Sequence, residues 1–128
     1  MSEAISIDDI QAARARLAGV SYVTPLLESQ FLNRLAGRRV LIKPECLQKT
    51  GSFKIRGAFN KIACLSETER QAGVVAYSSG NHAQGVAAAA HAMGVSARIV
   101  MPKDAPNIKL RKTAQVLPRG LFRALWIS

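Results

Sequence analysis

The chain has 128 residues, 48% of them hydrophobic, which is enough for one domain with a core and excludes a compositionally disordered chain. No apolar run is long enough for a transmembrane helix, and the start "MSEAISIDDIQAARARL" has no apolar secretory core, so we expect a cytoplasmic protein with no membrane partner. The net charge is +10, but half of this excess lies in residues 105–128, without zinc-finger spacing or an aromatic-interleaved basic motif, so we expect no nucleic-acid partner.

The first 45 residues are predicted to alternate helices and extended segments. Ser6 followed by Asp9 is a capping-box pattern, so a helix is expected to begin after Ser6 and to end near Gly19. The proline in "YVTPLLES" keeps the next segment extended. A short helix over residues 29–37 and a strand over residues 38–45, "RRVLIKPE", complete this part.

Helical spacing returns over residues 53–65, where Ile55, Phe59 and Ile62 share one face. Ser52 is the expected N-cap of this helix. The next stretch, "SETERQAG", is expected to be a polar connection that carries a second capping pattern.

Residues 74–101 predict a βαβ crossover. "GVVAYSSG" indicates a strand and turn, "NHAQGVAAAAHAMG" a helix ended by Gly94, and "SARIVMP" a strand ended by Pro102. Strands joined in this way are parallel, with a right-handed connection. The helix is nearly all small and apolar, so we expect burial on more than one side, with His91 as a packing residue. "APNIKLRKT" is expected to begin a further helix.

The two cysteines, Cys46 and Cys64, lack the spacing of metal ligands. We therefore predict no metal site and two reduced, structural thiols.

Lys54 is the first candidate for chemistry. In the first turn of its predicted helix, the positive end of the macrodipole disfavours an ammonium group, and partial burial beside Phe53 acts in the same direction. Both effects favour a free amine, which bonds readily to an aldehyde. The alternative is a solvated lysine at a helix start.

The second candidate is "SSGNHAQG", residues 78–85, at the carboxyl end of a parallel strand and the start of a helix. Open α/β sheets bind ligands at such positions, and free N–H groups there suit an anion such as a carboxylate. The hydrogen-bonding side chains are those of Ser78, Ser79, Asn81 and His82. The alternative is a turn with an asparagine cap and a satisfied histidine.

Together, "KTGSFKIRGAFNKI" and "YSSGNHAQGVAAAA" resemble the fold-type II pyridoxal-phosphate enzymes. Within them, the chain is most similar to threonine/serine dehydratases (ammonia-lyases) and serine racemase. "TPLLES" and "ARIVMPKDAPNIK" fit the same pattern, and the resemblance covers about residues 5–110. It implies an α/β fold of the tryptophan synthase β type, present here in part: N-terminal helices, a parallel βαβ unit and an incomplete three-layer sheet.

The resemblance also implies roles for individual residues, with pyridoxal 5'-phosphate as the cofactor. Lys54 matches the lysine that bonds to the cofactor and moves the substrate α-proton, and Phe53 matches the residue that packs on the pyridine ring. Asn81 matches the donor to the phenolic oxygen of the cofactor. The loop that receives the substrate carboxylate is matched by Ser78, Ser79, Asn81 and His82. Ser79 is also a catalytic candidate, because a hydroxyl there resembles the racemases, where it acts on the face opposite the lysine.

The implied domain organisation has three parts. Residues 1–73 match the start of the large domain with the cofactor lysine, residues 74–110 match the start of the small βαβ domain, and residues 111–128 form a basic tail unlike the family. No two of the nine glycines are adjacent, so the family's glycine-rich phosphate cradle is missing. We expect no further strand after the last helix, exposed strand edges, and an abrupt ending typical of a frameshifted or truncated reading frame.

The function implied by the resemblance is β-elimination of L-threonine or L-serine, yielding a 2-oxo acid and ammonia, in an enzyme that forms homo-oligomers at full length. The first alternative is a serine racemase-like activity. The second is a non-catalytic fragment or a protein that pairs with another chain. The 128-residue chain alone is expected to bind the cofactor poorly.

Overall fold

The computed structural model describes residues 4–116 and 122–127 of the chain. Six helices and five strands follow one another along these residues, with α3 and α4 consecutive and two 3-10 turns at Glu45–Leu47 and Lys49–Gly51. The helices are α1 (Ile7–Arg16), α2 (Gln30–Ala36), α3 (Lys54–Ala63), α4 (Glu67–Ala72), α5 (Asn81–Ala92) and α6 (Asn107–Val116). The strands are β1 (Leu27–Glu28), β2 (Leu41–Ile42), β3 (Val74–Tyr77), β4 (Ala97–Pro102) and β5 (Phe122–Ile127).

The first two helices begin where their sequence predicts, and α1 ends at Arg16, three residues before the predicted Gly19. The Ser6 hydroxyl accepts from the Asp9 N–H at 3.1 Å, and the Asp9 carboxylate accepts from the Ser6 N–H at 2.8 Å, so α1 has a complete capping box. Gly37 ends α2 with a φ of 63°, a conformation that glycine adopts without strain. The strand predicted over residues 38–45 is reduced to the two residues of β2, which pair antiparallel with β1.

Two predictions around α3 and α4 are wrong. Phe53, not Ser52, occupies the N-cap position of α3, because Ser52 ends the preceding 3-10 turn and its hydroxyl reaches the Lys54 N–H only at 3.4 Å. The stretch predicted as a polar connection is helix α4, since Ser66 and Glu69 complete a second capping box that starts the helix.

The predicted βαβ unit is confirmed. β3 and β4 are parallel, with Val74 opposite Ala97, and α5 connects them. The expectation that no further strand follows α6 is wrong, because β5 pairs in parallel with β4 over six residues. The second sheet therefore has the order β3–β4–β5.

The core lies where α3, α5 and β4 meet. Ile55 and Ile62 of α3 pack in one cluster with Ile99 and Met101 of β4 and with the small residues of α5. Seven residues of α5 are buried, as predicted for a helix covered on more than one side: Ala83, Gln84, Gly85, Val86, Ala87, Ala89 and Ala90. This cluster crosses the domain boundary predicted at residue 73.

Three single side chains lie outside the core, contrary to the sequence-based predictions. His91 is exposed because it lies on the face of α5 that points away from the core cluster. Cys46 and Cys64 are free thiols and both are exposed, where buried structural positions were expected. Within residues 4–116 and 122–127, no helix has the length and apolar character needed to cross a bilayer.

Candidate cofactor and substrate site

Lys54 is the first residue of α3 and is half-buried. Its Nζ lies 4.7 Å from the centroid of the Phe53 ring, within the range of a cation–π contact. Phe53 is 56% exposed, so one surface of its ring is open to solvent or to a planar ligand. The amine and the aromatic ring predicted from the sequence are therefore adjacent in space as well as in sequence.

The backbone of Lys54 lies directly against α5 at Gly85. A Cβ added at Gly85 would come within 2.9 Å of the Lys54 carbonyl carbon and 3.1 Å of the Lys54 Cβ. Such a contact is too close for any side chain, so glycine is what permits α3 and α5 to meet here. Gly85 follows Asn81 by four residues, which is about 6 Å along a helix. The start of α3 and the start of α5 are thus neighbours.

Asn81 is the first residue of α5 and is exposed. Its Oδ1 accepts a hydrogen bond from Lys109 Nζ at 2.6 Å, across 28 positions of sequence. Lys109 lies in α6, which packs against α5. Sequence reasoning missed Lys109, because nothing local marks a lysine whose partner lies on another helix.

The loop before α5 presents hydrogen-bonding groups around a free helix start. The Ser78 hydroxyl accepts from the Gly80 N–H at 3.1 Å, which shapes the turn, while Ser79 and His82 are exposed. Gly80 occupies the N-cap position and supplies no side-chain cap to α5. The first N–H groups of α5 therefore have no side-chain partner among the described residues and are suited to an anion.

An ion pair holds the segment that leads into Lys54. Arg56 donates from Nε to Glu45 at 2.7 Å and from a terminal nitrogen at 2.8 Å, and Thr24 donates to the same carboxylate at 2.6 Å. The hydrogen bond from Arg56, followed by that from Thr24, lowers the pKa of Glu45 to about 2. Arg56 lies two residues after Lys54 in α3. The ion pair therefore anchors the start of α3 to the 3-10 turn at Glu45–Leu47.

A buried glutamine makes two further hydrogen bonds in the same region. Gln48 is 4% exposed, its Oε1 accepts from the Tyr22 N–H at 2.9 Å, and its Nε2 donates to the Tyr22 carbonyl at 2.9 Å. Arg56 donates to the same carbonyl at 3.2 Å. These hydrogen bonds join the segment at Tyr22, the turn at Gln48 and the start of α3 at Arg56.

A cavity of about 360 Å³ adjoins this region and is lined by Thr50, Gly51, Gln84, Lys112 and Gln115. Thr50 has a φ of 64°, which is uncommon for a β-branched residue. Thr50 Oγ1 and Gln84 Nε2 are buried without a partner among the described residues. The backbone just before Lys54 is therefore held in a strained conformation by its surroundings.

The structure brings the two predicted stretches together at neighbouring helix starts. The individual roles of Phe53, Lys54, Ser79 and Asn81, and the placement of Lys54 and Asn81 across one cleft, stay predictions. Within the described residues, no group of three or more His, Cys, Asp or Glu side chains could hold a metal ion.

Comparisons with known proteins show the family to which the chain is similar. The profile of the "Pyridoxal-phosphate dependent enzyme" family matches residues 18–116. The L-threonine ammonia-lyase of Thermotoga maritima is 53% identical over 120 residues, which is 91% of this chain and 30% of that protein. The serine racemase of Oryza sativa is 46% identical over 107 residues, or 84% of this chain and 32% of that protein.

The solved structures give the same picture. Maize serine racemase superposes with a TM-score of 0.87 at 40% identity, and the match covers 97% of this chain and 36% of that one. The prediction of a fold-type II arrangement is confirmed by this superposition. The chain spans about a third of the length of the curated relatives it matches.

Proposed function

Because the chain belongs to the pyridoxal-phosphate dependent enzyme family, we propose that it supplies the lysine-bearing part of a site that deaminates L-threonine or L-serine. The observation that carries the proposal is the packing of the Lys54 backbone on Gly85, one turn beyond Asn81. This packing brings the start of α3, which carries Lys54, within about one helical turn of the uncapped start of α5. An amine and an anion-binding helix start close together are what a cofactor aldehyde and a substrate carboxylate require.

The residues present fit the cofactor in three respects. When bound, pyridoxal phosphate supplies an aldehyde that bonds to amines and a ring that withdraws electrons from the substrate. Lys54, a half-buried residue, contributes the amine, and Phe53 contributes an exposed aromatic side chain beside it. Asn81 contributes a side-chain N–H₂ group that can donate to the phenolic oxygen of the cofactor.

The start of α5 would bind the substrate carboxylate. Its first N–H groups have no side-chain cap among the described residues, and the positive end of the helix dipole stabilises an anion there. The side chains of Ser78, Ser79 and His82 surround this point and would orient the carboxylate by hydrogen bonds. Once the substrate is held, the Lys54 amine would remove the proton from the α-carbon of the substrate. The hydroxyl group of the substrate would then leave from its β-carbon.

Racemisation of serine is the second candidate, and Ser79 favours it. The Ser79 hydroxyl is exposed between the carboxyl end of β3 and the start of α5. A racemase needs a second proton-transfer group on the face opposite the lysine, and a hydroxyl at this position would provide one. Elimination needs no such group, so Ser79 distinguishes the two reactions.

The cofactor assignment can be tested by chemical trapping. The chain is mixed with pyridoxal phosphate, reduced with borohydride and digested, and the modified lysines are located by mass spectrometry. We expect Lys54 to be modified ahead of the six other lysines of the chain. Lys54→Arg is the matched control, and modification spread evenly over all lysines would contradict the proposal.

The reaction can be tested in a chimera. Residues 5–110 would replace the matching segment of the Thermotoga maritima L-threonine ammonia-lyase, which is long enough to supply the remaining parts of a site. We expect a 2-oxo acid from L-threonine, lost in Lys54→Ala. If Ser79→Ala removes D-serine formation but leaves oxo-acid formation, Ser79 serves racemisation alone. A chimera that folds and binds cofactor but acts on neither amino acid would refute the proposed substrates.

A non-catalytic pairing role has one observation in its favour. β3 pairs on one side only among the described residues, and its Val75 and Tyr77 are 72% and 63% exposed. An apolar strand edge of this kind invites pairing with another chain. Light scattering of the purified chain would reveal such pairing, and a monomer at all concentrations would exclude self-pairing.

A further inference from the structure

We propose that Lys109 is a positioning residue, which orients the Asn81 amide so that its N–H₂ group faces the cofactor. The inference rests on the proposed function, because it concerns how the chain prepares one contact of that site. Lys109 is the last residue of the family-like stretch "ARIVMPKDAPNIK", but that likeness assigns it no role. The role proposed for it follows from the contact between α6 and the first residue of α5.

The chemistry of the two side chains determines the orientation of the amide. An ammonium group only donates hydrogen bonds, so the atom of Asn81 that faces Lys109 Nζ at 2.6 Å must be the carbonyl oxygen Oδ1. The Nδ2 group of the same planar amide then points away from Lys109. A cofactor phenolic oxygen needs a donor at this position, and the lysine fixes which end of the amide is presented.

Lys109 is itself held in place. Its N–H donates to the Pro106 carbonyl at 2.8 Å in the first turn of α6. Its carbonyl accepts from the Thr113 hydroxyl at 2.8 Å, and Thr113 is 0% exposed. The backbone of Lys109 is therefore well anchored, and its side chain is held by the hydrogen bond to Asn81.

The ammonium has no competing partner in the part of the chain that the structure describes. Neither of the two salt bridges found there involves Lys109, and its side chain makes one hydrogen bond, to Asn81. A positive charge that is not neutralised beside Asn81 also favours an anionic oxygen at the neighbouring Nδ2 position. Orientation and charge thus act in the same sense.

The first experiment needs no cofactor. The chain has four asparagines, so selective ¹⁵N-asparagine labelling gives four side-chain amide pairs, and Asn81→Asp identifies the pair of Asn81. We expect this pair to be shifted from the random-coil position, to move towards it in Lys109→Met, and to stay shifted in Lys109→Arg. Arg111→Met, which removes an exposed positive charge two residues on in the same helix, is the matched control and should change nothing.

The second experiment measures the effect on the site. With cofactor below saturation, the rate of borohydride-trapped modification at Lys54 should fall on the order of tenfold in Lys109→Met, since one oriented donor is lost. Lys109→Arg and Arg111→Met should stay within about twofold of the wild-type chain. Asn81→Asp keeps a partner for Lys109 but lacks the N–H₂ donor, and should lose trapping as Lys109→Met does.

The outcomes separate this inference from the proposed function. If Lys54 is trapped in the wild-type chain and Lys109→Met leaves the rate unchanged, the inference is overturned and the proposed function stands. If the wild-type chain shows no preference for Lys54, the proposed function fails and the inference with it. Should Lys109→Met unfold, Asn81→Asp still decides the matter, because wild-type trapping in that variant would overturn the role of the N–H₂ donor.

Discussion

Replacing Gly85 with alanine tests the close packing of α3 on α5. The new Cβ would lie 2.9 Å from the Lys54 carbonyl carbon and 3.1 Å from the Ile55 nitrogen, both of them backbone atoms that cannot swing aside. To relieve these contacts, α3 and α5 must move apart or the first turn of α3 must shift. The strain therefore falls on the residue that carries the candidate amine.

The magnitude follows from two opposing effects. Alanine in place of glycine within a helix stabilises the folded state by about 1 kcal/mol, whereas overpacking a closely packed contact costs about 1–3 kcal/mol. Gly57→Ala supplies the matched control, because Gly57 also lies within a helix but its added Cβ would meet no atom within 4 Å. It should show the helix gain alone, so the two variants should differ by about 1–3 kcal/mol in free energy of unfolding.

The assay is urea denaturation followed by circular dichroism, supported by thermal melting. For a chain of this size the expected difference corresponds to melting temperatures on the order of 5–15 °C apart. Trapping of cofactor at Lys54 should fall in Gly85→Ala and stay unchanged in Gly57→Ala. If Gly85→Ala proves as stabilising as Gly57→Ala, the close packing of α3 on α5 is wrong, and so is the geometry assigned to the site.

Three further predictions concern the ion pair, a helix cap and the cofactor. Since the pKa of Glu45 is lowered from 4.5 to about 2, the stability from its pairing with Arg56 is present above pH 4.5 and is lost as the pH falls towards 2. Glu45→Gln should therefore lower the free energy of unfolding by about 1–3 kcal/mol at pH 7. Urea titrations at several pH values should show that this variant loses less stability on acidification than the wild-type chain. Equal slopes of unfolding free energy against pH would contradict the assignment. Ser66→Ala should cost about 1 kcal/mol by removing the cap of α4, whereas Thr68→Ala on the same helix should cost little in the same assay. The 128-residue chain should bind pyridoxal phosphate weakly on its own, because a dianionic phosphate needs several converging N–H donors and no adjacent glycines are present to supply them; a saturable, high-affinity absorbance change that Lys54→Ala removes would show otherwise.

Local signals in the sequence predicted most of the elements around the site. The Ser6–Asp9 capping pattern placed α1, and the turn before Asn81 placed the start of α5, because caps and turns depend on residues only a few positions apart. The sequence predicts no helix at α4 in spite of its capping pattern, since five polar residues and one alanine give no apolar periodicity that would distinguish a helix from a loop. β5 was missed because the prediction for the tail relied on likeness to the family and neglected its own "LFRALWI" pattern.

The features that sequence reasoning could not find are contacts between distant positions. Lys109 meets Asn81 across 28 positions, and Arg56 meets Glu45 across 11 with the help of Thr24. The sequence around a charged residue does not identify a partner that lies on another element. Such pairs are therefore found only once the packing of the helices is known. The contact between Gly85 and the Lys54 backbone is of the same kind. A glycine inside a helix indicates a close contact, but the sequence does not identify the residue on the other side.

The two hydrogen bonds between the Gln48 side chain and the Tyr22 backbone restrict which residues position 48 can accept. One side chain both accepts from and donates to the same backbone residue, as a neighbouring strand would, and its Oε1 also accepts from the Lys49 N–H at 3.0 Å. Glutamate offers no donor, lysine and arginine offer no acceptor, and asparagine is one methylene too short to reach. In a library that samples all twenty residues at this buried position, folded variants should be enriched for glutamine alone, although its neighbours Leu47 and Lys49 should accept many replacements.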